Sequence, residues 1–112
     1  MEDEQGFRLA AEAAIDDLKR HLIAREEREQ AGFEIEEQGG VLHVLFEDPG
    51  ARFAIAPNTP VRQIWISALA TSFKLDWDFK LEEFVLPRTG ETLSALVVRL
   101  IGEHHAPSPG RM

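Results

Sequence analysis

The chain has 112 residues, of which 44% are hydrophobic and 29% charged, so it can form one domain around one apolar core. It contains no cysteine, which excludes disulfides, zinc–thiolate sites and cysteine-bound clusters and is typical of a reducing cytoplasm. The acidic start MEDEQ and the short apolar runs predict neither a signal peptide nor a membrane span, and we expect a cytoplasmic protein.

The net charge of −8 is concentrated in the first third of the chain. Residues 1–37 hold 12 of the 20 acidic and 5 of the 12 basic side chains, which leaves residues 38–112 almost neutral. This distribution disfavours binding to nucleic acid or anionic membranes and favours cations or a basic protein surface. Solubility alone is the alternative explanation of such a surface.

Both ends of the chain have a helical pattern. Over residues 4–28, apolar side chains recur at spacings of three and four and form one stripe: Phe7, Ala11, Ala14, Ile15, Leu18 and Leu22. A second stripe near the C-terminus consists of Leu93, Leu96, Val97, Leu100 and His104. Residues 107–112 are predicted to be a disordered tail, which leaves a single domain over residues 1–106.

Between the helices the period changes to two, which is typical of β-strands. FEIEEQ and VLHVLFE flank Gly39 and Gly40, a two-residue hairpin signal, and four further short strands follow as ARFAIA, VRQIWISA, FKLDW and EEFVLP. Short turns between about six strands predict an antiparallel sheet. Because each helix has a single apolar stripe, we expect an α+β fold, a two-layer sandwich with both terminal helices on one face of the sheet.

The stretch TPVRQIWISA, residues 59–68, divides by alternation into two faces. Ile64 and Ile66 fall on one face, and Gln63 and Trp65 fall on the other. If the isoleucines face the helices, Trp65 lies on the open side of the sheet, where it predicts a binding surface because Trp is a favoured interface anchor. Alternatively, Trp65 covers neighbouring side chains and satisfies its indole N–H locally.

Carboxylates form the densest cluster of side chains that can carry chemistry. Glu26, Glu27 and Glu29 end the first helix, and Glu34 and Glu36 project from the same side of the first strand. The connection is short, so we expect the two sets to lie along one edge of the molecule. Carboxylate oxygens suit hard cations such as Mg²⁺, Ca²⁺, Mn²⁺, Fe²⁺ and Fe³⁺, and the same patch suits a Lys/Arg-rich partner. A solvated surface without a ligand is the third interpretation.

The sequence carries no recognised catalytic motif, and we do not expect an enzyme. A cysteine nucleophile, a glycine-rich phosphate loop, an HExxH motif and a Glu-x-x-His pair of the di-iron kind are all absent. The four histidines are not spaced as ligands, although His43 on the outer face of a strand remains a candidate weak ligand.

The order of several short motifs resembles the frataxin family. TPVRQIWIS is similar to the family's signature strand, GGVLHVLFED to the hairpin before it, KLDW at 74–77 to the following strand, and RTGETL at 88–93 to the turn that begins the last helix. RLA at 8–10 and AIDDL at 14–18 resemble the first helix. The similarity covers about residues 7–105 and looks most like the bacterial branch.

The resemblance implies an α–β sandwich with a role in iron–sulfur cluster assembly. Frataxins bind iron weakly through an acidic ridge and dock on a cysteine desulfurase and its cluster scaffold protein. The ridge falls on Asp16, Glu34 and Glu36 of this sequence, and the family's sheet-surface contacts fall on Gln63 and Trp65. The candidate metal residues are therefore Asp16, Glu26, Glu27, Glu29, Glu34 and Glu36, and the candidate partner-binding residues are Glu34, Glu36, Gln63 and Trp65.

Some positions depart from the family pattern. Arg20, Ile23 and Ala24 stand where relatives keep acids late in the first helix, and a ridge with interspersed arginines attracts a cation less. Two extra residues lie between Trp77 and Phe84. The resemblance thus implies partner docking more strongly than iron binding, with a monomer expected in the absence of metal. The alternatives are a ferroxidase-like iron store or iron chaperone, and an acidic adaptor with no metal role.

Overall fold

The computed structural model describes residues 3–29, 32–46 and 51–105, without the side chains of residues 26–29 and 105. Within these ranges, seven strands lie between two helices in chain order: α1 (Glu4–Glu29), β1 (Phe33–Gln38), β2 (Val41–Phe46), β3 (Arg52–Asn58), β4 (Gln63–Ala68), β5 (Thr71–Asp78), β6 (Glu83–Leu86), β7 (Glu91–Thr92) and α2 (Leu93–His105). One 3-10 turn, Thr59–Val61, joins β3 to β4. No helix within these ranges is both long enough and apolar enough to cross a membrane. The predicted tail at residues 107–112 lies outside the described residues.

The seven strands form one antiparallel sheet in which chain order is also spatial order, with β1 and β7 at the edges. The hairpin predicted between β1 and β2 is present, and Gly39 and Gly40 both have positive φ, +60° and +83°, as a type I′ turn requires. The prediction of about six strands missed only β7. That strand has two residues and pairs with the end of β6, where the sequence pattern indicated a turn.

Alternation along each strand divides the sheet into a buried face and an open face, as predicted. The buried face carries Leu42, Val44, Phe53, Ile55, Ile64, Ile66, Leu75 and Phe84, all of which are at most 2% exposed. These side chains form one cluster with the apolar stripes of both helices, which include Phe7, Ala11, Leu18, Leu22, Leu96, Val97 and Leu100. The two-layer α+β sandwich is therefore confirmed, with the core between the helices and the sheet.

Aromatic rings contact one another at both ends of this core. Phe84 of β6 meets Phe7 of α1 edge to face with ring centroids 5.8 Å apart, and it meets Trp77 of β5 at 5.1 Å. At the other end, the imidazole of His104 lies 4.0 Å from the ring of Phe46. His104 thus belongs to the apolar stripe on which its spacing placed it. The edge-to-face pairs of Phe84 with Phe7 and Trp77 each contribute about 0.5–1.5 kcal/mol beyond their buried area.

Candidate docking surface and acidic edge

Trp65 lies on the open face of the sheet, as the alternation in β4 predicts. Its neighbours Ile64 and Ile66 are 0% and 1% exposed, whereas Trp65 is 37% exposed. The reason is the pleat of the strand, which turns successive side chains to opposite sides. The indole is therefore within reach of a partner molecule while its neighbours hold the strand against the helices.

The indole is held in place by a chain of polar contacts. Its Nε1 donates to Oε1 of Gln63 at 2.8 Å, and Nε2 of Gln63 donates to Oδ1 of Asp76 at 2.9 Å. The Nζ of Lys74 lies 4.8 Å from the centre of the indole ring, within cation–π range. The indole N–H is thus satisfied locally, as the alternative interpretation expected, and the ring remains partly accessible.

Strand register brings Glu34 and Glu36 onto the same open face as Trp65. Glu34 pairs with Leu45 and Glu36 with His43, both of which alternate with the buried residues of β2. From β1 to β4 there are three inter-strand spacings, or roughly 14 Å across the sheet, and Glu34 and Glu36 are also offset from Trp65 along the strands. We call Glu34 and Glu36 the acidic edge.

Side chains of mixed size occupy the open face between the acidic edge and Trp65. Ala54 and Ser67 continue the row that begins with Glu36 and His43, and Ala56 lies directly opposite Trp65. The row of Glu34 instead continues with the larger side chains of Leu45 and Arg52, and Arg52 is exposed. A partner surface that rests across β1–β4 can contact the carboxylates and the indole together.

The structure separates Asp16 from the acidic edge. Asp16 lies on α1 in an ion pair with Arg20, and it lines a groove of about 600 Å³ together with Glu37 of β1. Glu37 follows Glu36 in the alternation and so lies on the helix side of the sheet, where it accepts a 2.8 Å hydrogen bond from Nζ of Lys19. That bond raises the pKa of Lys19. The carboxylate of β1 that lies near Asp16 is thus Glu37. Glu37 was not among the predicted site residues, although the alternation along β1 places it on the helix side.

The remaining candidate ligands do not form a metal centre within the described part of the chain. The side chains of Glu26, Glu27 and Glu29 lie outside it. Among the described side chains, no three histidines or carboxylates are placed together as a metal site. His43 lies opposite Glu36, and its Nδ1 is buried without a hydrogen-bond partner among the described residues. Its role as a weak ligand stays a prediction.

The described carboxylates differ in how far they are already neutralised. Asp16 and Asp17 share Arg20, and Glu37 is paired with Lys19. Glu34 and Glu36 are exposed, and neither has an ion pair with another described residue. The acidic edge therefore presents its charge to solvent, whereas the helix side of β1 presents neutral pairs.

Comparison with known proteins agrees with this architecture. The family model described as a frataxin-like domain matches residues 1–106. The iron–sulfur cluster assembly protein CyaY of Azotobacter vinelandii is 29% identical over 86 residues, which is 77% of each chain. The protein of the same name from Stutzerimonas stutzeri is 31% identical over 70 residues, which is 62% of this chain and 63% of that one.

Two solved structures share the fold at low sequence identity. Frataxin from Psychromonas ingrahamii matches 92% of this chain and 91% of its own, with a TM-score of 0.71 and 18% identity. Trimeric frataxin from Saccharomyces cerevisiae matches 83% of this chain and 79% of its own, with a TM-score of 0.65 and 23% identity. The family match over residues 1–106 and the shared architecture lead to one conclusion: this chain belongs to the frataxin-like family.

Proposed function

We propose that this protein is a non-enzymatic accessory protein of iron–sulfur cluster assembly, which docks on a cysteine desulfurase and its scaffold protein in the cytoplasm. Family membership and relatives named as iron–sulfur cluster assembly proteins support the process. One observation carries the docking mode: the acidic edge and Trp65 lie on the same solvent-facing side of the sheet.

The two parts of this surface would contribute differently to binding. Exposed carboxylates act at a distance, so Glu34 and Glu36 would accelerate encounter with a basic partner in a way that salt screens. Trp65 acts at contact, because its large ring loses water only when a partner covers it. The hydrogen bond from Trp65 to Gln63 orders the indole before binding, which lowers the entropy that docking must remove.

Iron would bind to this protein only weakly, as cargo. The described carboxylates do not converge on one point, so a tightly coordinated ion does not fit them. Single exposed carboxylates such as those of the acidic edge bind hard cations through one or two oxygens and many waters. Iron and the basic partner would therefore compete for Glu34 and Glu36. A ferroxidase-like store requires converging ligands, and no observation favours it.

The decisive experiment measures binding to a purified cysteine desulfurase across a salt series. Glu34→Gln with Glu36→Gln should weaken binding at about 0.1 M salt, and this difference should shrink towards 1 M, where charges are screened beyond about 3 Å. The matched control is Glu12→Gln with Glu82→Gln, which removes the same charge from two exposed carboxylates that likewise have no ion pair with another described residue.

A second pair of variants tests the indole. Trp65→Ala should weaken desulfurase binding by at least tenfold at every salt concentration, while Leu9→Ala, which removes an apolar side chain that is 61% exposed on α1, should not. Equal binding by Trp65→Ala and Leu9→Ala would exclude the open face as the docking surface. Oxygen consumption on addition of Fe²⁺ to the protein alone would instead favour the ferroxidase-like alternative.

A further inference from the structure

The turn between β5 and β6 holds two large apolar side chains in water. Phe79 is 68% exposed and Leu81 is 54% exposed. The turn is ordered by its own hydrogen bonds: Oδ1 of Asp78 accepts from the backbone N–H groups of Lys80 at 2.8 Å and Leu81 at 2.9 Å, and the carbonyl of Asp78 accepts from Glu82 N at 2.7 Å. The backbone of the turn is thus ordered, and the phenyl ring extends from it into solvent, where a large apolar side chain can act as an interface anchor.

A small groove opens beside this turn on the helix side of the sheet. It has a volume of about 260 Å³, and its apolar lining consists of Ala10, Ala13, Ala14, Trp77 and Leu93. Trp77 is half-buried and is held by its edge-to-face contact with Phe84. Ligand pockets for small molecules commonly measure about 300–1,000 Å³, so this groove is sized for a single long side chain.

The surroundings of the groove are acidic. Residues 78–83 include three acids and one lysine, and Asp17 and Glu82 both line the groove. Asp17 pairs with Arg20 of its own helix, whereas Glu82 has no ion pair with another described residue. An aromatic ring beside carboxylates selects a guanidinium, which stacks on the ring and bonds carboxylate oxygens with its planar donors.

We propose that the β5–β6 turn and the adjoining groove form a second docking surface, whose occupant is a basic amphipathic segment of a partner protein. An arginine of that segment enters the groove over Trp77 towards Glu82, and its apolar side chains pack on Phe79 and Leu81. Two observations favour this occupant: the acidic surroundings of the groove, and the exposed apolar side chains of Phe79 and Leu81 on an ordered turn. The turn follows β5, which lies four inter-strand spacings from β1, roughly 19 Å across the sheet, and the groove opens on the helix side, whereas Trp65 and the acidic edge lie on the open face.

The test uses Trp77 as its own reporter. The sequence has two tryptophans, so a Trp65→Phe background leaves Trp77 as the single indole. The probe is a short synthetic peptide with arginine between leucines, compared with peptides in which the arginine is glutamine or the leucines are serine. The full chain should bind the first peptide with a change in Trp77 emission and bind each of the other two at least tenfold more weakly.

Variants in the same background assign the contacts. Phe79→Ser with Leu81→Ser should weaken the arginine–leucine peptide at least tenfold, and Glu82→Gln should reduce the preference for arginine over glutamine. Leu69→Ser, at an exposed apolar side chain in the β4–β5 turn, should change neither. Thermal melting checks that each variant folds, which we expect because all four altered side chains are exposed.

Three outcomes would overturn this proposal: equal affinity for the arginine and glutamine peptides, binding unaffected by the changes at Phe79 and Leu81, or no binding of the arginine–leucine peptide. Self-association in sedimentation that disappears in Phe79→Ser would also overturn it, in favour of a second copy of this chain as the occupant. None of these results depends on Glu34, Glu36 or a desulfurase, so failure of the proposed function is a separate finding.

Discussion

Nε1 of Trp65 donates a 2.8 Å hydrogen bond to Oε1 of Gln63, and this bond links the two residues of the open face into one unit. The amide nitrogen of Gln63 is occupied by Asp76 at 2.9 Å, so the orientation of the amide is determined from both sides. The position of the indole on the open face therefore depends on a side chain that need not touch a partner itself.

Replacing Gln63 by alanine should loosen Trp65 without unfolding the protein. The lost hydrogen bonds are exposed, so the free energy of unfolding should fall by no more than about 1 kcal/mol. Faster exchange of the indole N–H in NMR spectra and several-fold weaker desulfurase binding are the expected results. Ser72→Ala on the same face serves as the control, and unchanged indole exchange in Gln63→Ala would contradict the coupling.

Alanine substitutions at the adjacent positions 64 and 65 should have opposite consequences. Ile64 is completely buried, so Ile64→Ala should lower the free energy of unfolding by about 2–5 kcal/mol. Trp65→Ala should cost much less stability but should weaken partner binding. Urea unfolding of both variants provides the measurement, and a loss at Trp65 as large as that at Ile64 would identify Trp65 as a packing residue.

The β4–β5 turn is made by Leu69 and Ala70, which both have positive φ, +54° and +62°. Left-handed backbone costs a residue other than glycine roughly 1–2 kcal/mol, and Asn-Gly is the preferred pair in such turns. Leu69→Asn with Ala70→Gly should therefore raise the free energy of unfolding by about 1 kcal/mol in urea titrations.

The β1–β2 turn supplies the reverse experiment. Gly40 has φ +83°, and a Cβ there would meet no atom within 4 Å, so Gly40→Ala tests backbone strain without a steric clash. We expect a loss of roughly 1 kcal/mol. Equal stability of both turn variants and the unmodified protein would show that the backbone relaxes at these turns.

The pairing of Glu91 with Arg99 should be visible in the acid limb of the stability curve. The carboxylate of Glu91 accepts hydrogen bonds from Nε of Arg99 at 2.7 Å, from Nη2 of Arg99 at 3.0 Å and from Oγ1 of Thr89 at 2.8 Å. The bonds from Arg99 are the largest cause of a lowered pKa of Glu91, and that from Thr89 is the next. Both groups are partly exposed, so the contribution is below about 1 kcal/mol.

In the folded state the pKa of Glu91 lies below the ordinary value of 4.5. The stabilisation that Glu91 gains from Arg99 is therefore complete above pH 4.5 and is lost as the pH falls towards the lowered pKa. Glu91→Gln should therefore lower stability at neutral pH and flatten its decline in acid. Urea unfolding at several pH values measures this, with Glu103→Gln, at the more exposed partner of Arg99, as the control. Parallel acid limbs in Glu91→Gln and the unmodified protein would contradict the assignment.

The sequence by itself determined which side of each element is buried. The spacings of three and four in the helices and of two in the strands depend only on local geometry, so Phe7, Leu96, Ile64 and Trp65 could be assigned to faces before any coordinates. The same reasoning predicted two layers, because each helix has a single apolar stripe.

Only the tertiary structure decided which polar side chains meet. Register places Glu36 beside His43 and on the same face as Trp65, and the position of α1 over the sheet brings Lys19 to Glu37. The left-handed geometry of the β4–β5 turn could not be predicted, because Leu69 and Ala70 carry no turn signal and are held by the pairing of their flanking strands. Periodicity is a property of neighbouring residues along the chain, whereas these contacts depend on how separate elements pack, and spacing alone does not encode that.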